Sequence, residues 1–369
     1  MSNENFYKAF EDKYRGSREA IKERAEVYLP FLEPLQKIYS DGVVLDIGSG
    51  RGEWLELLKT KHIQTEGIDS DSDMVAFCKS LNLNVNYGDG IQYLQEQPDE
   101  KYLAITAFHV VEHISLSQLQ LLIQESLRLL KPGGLLILET PNPENIKVAT
   151  ENFYIDPTHI KPIPSALLSF LPEFYDYKRT KVIKLQEHEH LHSKEDITIQ
   201  EIFDGVSQDY AVVAQKSAEE NILNRLNPQF SKEYGISLIE LTAKFENRLR
   251  KIEQRVIEVE KNYTRLLNST SWKVTKPLRF TGDKIKFLKK KWNQFSLKSS
   301  LKDFILSNPK LAKGVFLIIK YHFRFKKRSH QNIQNEENLH HYPKTFNRSS
   351  LHAQKIYHDL KSTIDSLNG

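Results

Sequence analysis

The residues best placed to do chemistry begin with Asp46-x-Gly48-x-Gly50-x-Gly52, which lies between Val43-Val44-Leu45 and Trp54-Leu55-Glu56-Leu57-Leu58. A turn without β-carbons between a strand and a helix lets a ligand lie against the backbone. It also aims the helix's free N–H groups at that ligand. A dinucleotide fingerprint needs a third glycine where this chain has Glu53, so the spacing points to another ligand. Acids recur downstream at Asp69 and at Asp89, followed by Gly90. Each alone is an ordinary turn or N-cap residue, but acids at successive strand ends make a ligand track, because open α/β sheets bind at their carboxyl edge. Phe108-His109-x-x-Glu112-His113 and Asp156-Pro157-Thr158-His159 add imidazoles and carboxylates near the same edge.

These groups need a scaffold, and the periodicity supplies one. Strands are expected at Val43–Leu45, His62–Asp69, Leu83–Tyr87, Leu103–Phe108 and Leu135–Leu138, with helices between them. Helical spacing is clearest at Leu119, Leu122, Ile123, Leu127 and Leu130, and Lys131-Pro132-Gly133-Gly134 ends that run. Strand–helix alternation of this period predicts an α/β doubly wound sheet. Residues 6–35 turn helical after Gly16-Ser17, with Ser17 as N-cap and Glu19 in the first turn. That segment reads either as a helix packed on the sheet or as a lid carrying Tyr14, Arg15 and Arg18.

The glycine run, FHVVEH and LKPGG-LLILETPNPEN together resemble the class I S-adenosylmethionine (SAM) methyltransferases. The resemblance implies a Rossmann-like sheet closed by a late antiparallel pair, expected at Lys181–Gln186 and Tyr210–Gln215. It implies SAM as cofactor, with Asp46, Gly48, Gly50, Gly52, Asp69, Asp89, Gly90, Phe108 and His109 around it. Arg18 is a candidate for its methionyl carboxylate. On the acceptor side the expected substrate residues are Tyr14, Arg15, Glu112 and Tyr154. His113, His159 and Asp156 are the expected catalytic groups, because an imidazole can take a hydroxyl proton near neutral pH. His109-x-x-Glu112-His113 has the letters of an inverted zinc-peptidase motif, and it also resembles the metal-binding E-x-x-E-H of quinone O-methyltransferases. His109 stands where that motif has its first Glu, and no metal is assigned. His188, His190 and His192 alternate, which on a strand would share a face; a solvated loop is the simpler reading.

From Leu238 a 3-4 spacing runs through Thr242, Phe245, Leu249, Ile252, Val256, Val259, Tyr263 and Leu266. It reads as a coiled coil joining copies of the chain, with a helix folded back on the body as the alternative. Residues 266–280, LLNSTSWKVTKPLRF, resemble a module that follows coiled coils in bacterial O-antigen and surface-polysaccharide enzymes, chain-terminating methyltransferases among them. Such relatives can carry a kinase between body and rod, for which Gln215 to Leu238 leaves no room. Ser271 to Arg328 holds 17 Lys/Arg against two acids, +15, and the chain total of +4 leaves −11 for the rest. Basic residues interleaved with aromatics suit an anionic membrane surface better than RNA, for which no binding-fold signature is present. One cysteine, Cys78, excludes an internal disulfide.

The expected divisions are 1–35, a helix or lid; 36–217, the catalytic domain; 218–270, linker and coiled coil; 271–328, basic amphipathic helices; and 329–369, a polar linker and last helix. Together they imply a cytoplasmic enzyme held at the inner face of the membrane. Its partners would be a lipid-linked glycan acceptor and a glycosyltransferase, with no nucleic acid. The alternatives are a small-molecule methyltransferase of the quinone type and a SAM-binding scaffold.

Overall fold

The structure is a computed structural model that describes residues 16–294. Tyr14, Arg15 and the expected segments beyond 294 lie outside the described residues.

The strands are β1 (Val43–Ile47), β2 (Gln64–Asp69), β3 (Val85–Tyr87), β4 (Tyr102–Phe108), β5 (Leu130–Pro141), β6 (Arg179–Leu185) and β7 (Asp209–Gln215). They form one sheet in the order β3-β2-β1-β4-β5-β7-β6. The first five are parallel, and β7 runs antiparallel to both β5 and β6. This is the Rossmann-like α/β sheet with its late antiparallel pair. β5 begins earlier than the sequence suggests, since Leu130 already pairs with Tyr102 and an irregularity in register absorbs the glycines.

Every residue of β4 from Tyr102 to Ala107 is buried, as a strand covered on both faces must be. On one face the helix Leu29–Gln36 buries Phe31, Leu32 and Leu35 against Val44, Trp54, Leu58 and Leu103. On the other, the helix Leu116–Leu129 buries Leu119, Leu122, Ile123 and Leu129 against Leu45, Ile105 and Leu136. Ser115 and Gln118 close a capping box at that helix's start, and Ser17 caps the helix Arg18–Ala25 through Ala20 N. Residues 18–36 are therefore wall as well as cover: Tyr28 and Phe31 are core residues.

Packing of the body continues past the boundary expected at 217. Leu226 joins the core, and the Arg179 guanidinium lies 4.0 Å from the Phe230 ring centre while donating to Leu223 O at 2.6 Å. Ile236 and Leu241 form a satellite core with Leu191, Ile197 and Val206. The segment after 217 is not a linker, because it carries apolar side chains that this face of the body needs. The helix Leu238–Asn268 puts Leu238, Leu241 and Phe245 into that satellite core. Beyond them the 3-4 seam is open: Leu249, Ile252, Val256, Val259, Tyr263 and Leu266 are all exposed.

A second compact unit begins at Tyr263. Its Ser271-Trp272-Lys273 stretch lies within the short helix Thr270–Val274, which meets the helix Lys276–Gln294 at Thr275. Ser269 caps the first through Trp272 N. Arg279 then lies over the Trp272 ring at 3.6 Å and donates to Trp272 O and Thr275 Oγ1, both at 2.5 Å. The spacing of Ser, Trp, Thr and Arg is thus that of a self-contained helical corner. Among the described residues no helix is long and apolar enough to cross a membrane.

Candidate active site

The glycine loop is shaped by close approaches. Gly48, Gly50 and Gly52 have φ of +71°, +50° and +75°, a region that L side chains rarely enter. A Cβ on Gly48 would meet Val110 Cγ2 at 2.5 Å, and one on Gly52 would meet Leu83 Cδ1 at 2.6 Å. Asp46 is buried at the end of β1 and accepts from Thr106 Oγ1 at 2.7 Å, tying β1 to β4 beneath the loop. Asp69 ends β2 and accepts from Gly50 N at 2.7 Å and Asp71 N at 2.8 Å, one on each oxygen. Each oxygen keeps a lone pair, the arrangement a vicinal diol needs. Asp89 caps the helix Gly90–Glu96 with Oδ1 alone, accepting from Ile91 N and Gln92 N. The turn brings Gly90 so close to Ile47 that a Cβ there would lie 2.6 Å from Ile47 Cγ2.

Phe108 stacks on Tyr28, with ring centres 4.9 Å apart, and leans on Trp54 at 5.6 Å. The Trp54 indole N–H is buried with no hydrogen-bond partner among the described residues. Arg18 approaches this wall but donates to Arg51 O at 2.6 Å and Glu56 at 2.8 Å, and stands 3.5 Å from Glu53. Its charge pins the helix Arg18–Ala25 to the loop, which differs from the carboxylate-binding role expected of it.

His109, at φ +55°, turns both ring nitrogens towards carboxylates. Its Nδ1 lies 3.2 Å from Glu112, and Nε2 lies 3.4 Å from Glu139 and 3.9 Å from Asp209. Burial works against a charged ring, but Asp209, Glu112 and Glu139 outweigh it and hold the His109 pKa well above the ordinary value. Burial raises the Asp209 pKa, an effect that His109 only partly offsets and that Glu139 and Glu112 reinforce. The Tyr28 hydroxyl donates to Glu139 from the other side. His109, expected at the cofactor, thus stands at a charged centre joining β4, β5 and β7.

Glu112, expected to touch substrate, is instead fully buried as a side chain and accepts from Thr140 Oγ1 at 2.9 Å. Its backbone carbonyl accepts from Ile160 N, which fastens the 156–160 loop across it. That loop brings the expected catalytic groups together. His113 Nδ1 lies 2.9 Å from Thr158 Oγ1, which lies 2.6 Å from Asp156 Oδ1. His159 Nδ1 lies 2.6 Å from Phe153 O, and the two imidazole centres are 4.7 Å apart. Burial, with His159 nearby, lowers the His113 pKa despite Glu112. Asp156 stays below the usual carboxylate range: burial would raise it, but the Thr158 hydrogen bonds prevail. Tyr154 stands exposed on the short helical turn Asn152–Ile155 that leads into this loop. His188 and His190 stack at 5.8 Å in an exposed turn entering the helix His190–Ser193, so they share no strand face.

A parallel sheet whose carboxyl edge joins a glycine loop, strand-end acids and an imidazole cluster defines a nucleotide-dependent transfer site. A methyltransferase domain model matches residues 18–171. An uncharacterized methyltransferase of Staphylococcus carnosus is 33% identical over 122 residues, 32% of this chain and 58% of that protein. A probable S-adenosylmethionine-dependent methyltransferase of Mycolicibacterium smegmatis is 28% identical over 130 residues, 35% of this chain and 49% of that one. The chain thus spans about half the length of these curated relatives. A crystal structure of a SAM-dependent methyltransferase from Archaeoglobus fulgidus is 33% identical with a TM-score of 0.51, and is covered completely by 57% of this chain. The chain belongs to the SAM-dependent methyltransferases.

The residues fit that cofactor. Gly48 and Gly52 have no room for a side chain and Gly50 shares their positive φ. Asp69 offers two oxygens to a ribose, and Asp89 Oδ2 remains for a donor beyond its cap. Sequence reasoning gave no role to Thr158, Glu139, Asp209 or Tyr28. Thr158 lies within the polar Asp156–His159 run and Glu139 is one more acid at a strand end, while Asp209 and Tyr28 carry no signal.

Proposed function

We propose that this protein methylates a hydroxyl of a lipid-linked surface glycan, working as an oligomer at a membrane. The observation that carries the hydroxyl reading is the chain His113–Thr158–Asp156. SAM, when bound, supplies a methyl group on a sulfonium. Asp156 only accepts, so Thr158 donates to it and accepts from His113 Nδ1–H. Nε2 of His113 then keeps its lone pair and takes the acceptor proton, while Asp156 steadies the charge left on the ring. A positioned base contributes about 10²–10⁴-fold. Alignment of acceptor with methyl, and exclusion of water by the 156–160 loop and the helix Arg18–Ala25, supply the remainder. Glu112 and Glu139 stand beside one imidazolium, His109, and Asp156 adds a carboxylate behind Thr158 on the neighbouring loop. This excess of negative charge favours a neutral hydroxyl over a phosphate.

The glycan reading rests on the rod and the Ser-Trp-Lys corner. Six exposed apolar residues at 3-4 spacing, from Leu249 to Leu266, suit association with further copies of the chain. The helix Lys276–Gln294 carries exposed Phe280, Phe287 and Leu288 among lysines, as an interfacial helix does. A glycosyltransferase bound nearby would supply the finished glycan end. The test is transfer of labelled methyl from SAM into membrane extracts of the source organism. Label in lipid-linked glycan is expected; label confined to the quinone fraction would overturn the glycan reading.

A further inference from the structure

We propose that Glu112, His113 and His159 form a zinc site on the acceptor side of the cleft. The proposal rests on the assignment of that side made above. One ligand atom from each residue lies within 4.8 Å of the other two. The Phe153 carbonyl can only accept, so His159 Nδ1 carries the hydrogen and Nε2 the lone pair. That lone pair stands 4.0 Å from Glu112 Oε1, which His109 Nδ1 already approaches at 3.2 Å. A cation there would be shared between the His159 imidazole and the lone pair that His109 leaves on the carboxylate. Thr158 fixes the His113 tautomer in the same sense, leaving Nε2 as the coordinating atom.

Every ligand is also held from behind. His113 is held by Thr158 and through it Asp156, His159 by the Phe153 carbonyl, and Glu112 by Thr140 on Oε2. Outer partners of this kind fix tautomer and ring orientation at metal centres. Two imidazoles and one carboxylate suit zinc, whereas magnesium and calcium prefer oxygen alone. Three protein ligands leave a fourth position open for the acceptor oxygen. Zinc on His113 Nε2 would take the lone pair assigned above to the base. In the loaded site the metal would lower the acceptor hydroxyl's pKa in place of His113, and the proton would leave to solvent. Tetrahedral bonds of about 2.1 Å put ligand atoms about 3.4 Å apart, so the site closes inward on loading. His113 sits on a short turn and His159 on a loop, both able to follow.

This set differs from an E-x-x-E-H site, because its third ligand comes from the loop after β5 and position 109 is outside it. A neighbouring trio, His109, Glu139 and Asp209, is equally close. Both nitrogens of its one imidazole already face carboxylates, Nδ1 on Glu112 and Nε2 on Glu139, which leaves no lone pair for a metal.

The test is zinc titration of the chelator-stripped full chain by calorimetry, with cobalt absorption as a report of coordination. One equivalent should bind per chain. His159→Gln should weaken binding at least 100-fold, and Thr158→Val about tenfold through the outer partner. His192→Gln, at an exposed turn, should leave it unchanged. Both informative variants lie on the surface loop, so folding of the body is spared. No stoichiometric zinc in the wild type, or unchanged binding in His159→Gln, would overturn the site. Methyl transfer is measured on the same samples. Full transfer by stripped protein would overturn a zinc role while leaving the hydroxyl reading intact. Zinc bound without transfer would support the site and count against that reading.

Discussion

The Thr158 hydroxyl lies 2.9 Å from His113 Nδ1, joining the loop after β5 to the turn after β4 across 45 residues. Thr158→Val removes this contact while keeping the side chain's shape. A hydrogen bond of about 1.4 kcal/mol corresponds to tenfold, so kcat should fall about tenfold with KM little changed. Thr158→Ser should restore most of it. Steady-state kinetics of the two variants check this, and equal activity in Thr158→Val would remove Thr158 from the mechanism.

Gly48→Ala puts a methyl 2.5 Å from Val110 Cγ2 on backbone at φ +71°. The loop must shift, and the bed for the cofactor shifts with it. SAM affinity by calorimetry should drop at least tenfold, about 1.4 kcal/mol, alongside a lower Tm. Wild-type affinity would show that the loop does not cradle the cofactor.

Cys78 is buried against the same loop, its thiol donating to Gly50 O at 3.3 Å, and burial, reinforced by Asp69, pushes its pKa up to about 12. A thiol reacts as thiolate. Iodoacetamide at pH 8 should therefore leave the folded protein unmodified and label it fully in denaturant. Mass spectrometry reads both states, and rapid labelling of folded protein would contradict this packing.

Glu201 carries a pH-dependent share of stability. Burial would raise its pKa, but Lys194 at 2.5 Å and the Thr198 cap bring it down to about 2. A depressed carboxylate stabilises above its unfolded pKa of about 4.3. The contribution is lost as pH falls from there through about 2. Wild type should be more stable than Glu201→Gln at pH 7, with the gap closing between pH 4 and 2. Urea midpoints across that range test it, and a gap that widens towards acid would be the opposite sign.

Where the chain's own spacing dictates geometry, the sequence was readable. The strand–Gly48-x-Gly50-x-Gly52–helix turn, the acids Asp69 and Asp89, and the alternation of strands and helices along the chain follow from local pattern and period. The antiparallel pair came from the family resemblance. What depends on tertiary register was not. Asp209 meets His109 only because β7 runs antiparallel beside β5 and places Asp209 opposite Pro141. Thr158 reaches His113 only because Ile160 N binds the Glu112 carbonyl. Arg18 looked free for a ligand carboxylate until Glu53 and Glu56 were brought beneath it. The boundary at 217 failed for the same reason: Leu226, Ile236 and Leu241 are too scattered to read as core until the body's faces are known.

The most direct test compares labelled methyl transfer from SAM to lipid-linked glycan by wild type and His113→Ala. The account predicts transfer by wild type and a loss of about a hundredfold in the variant, the scale of removing a positioned base. Equal transfer by both would contradict it, and would move the acceptor to an oxygen that needs no base.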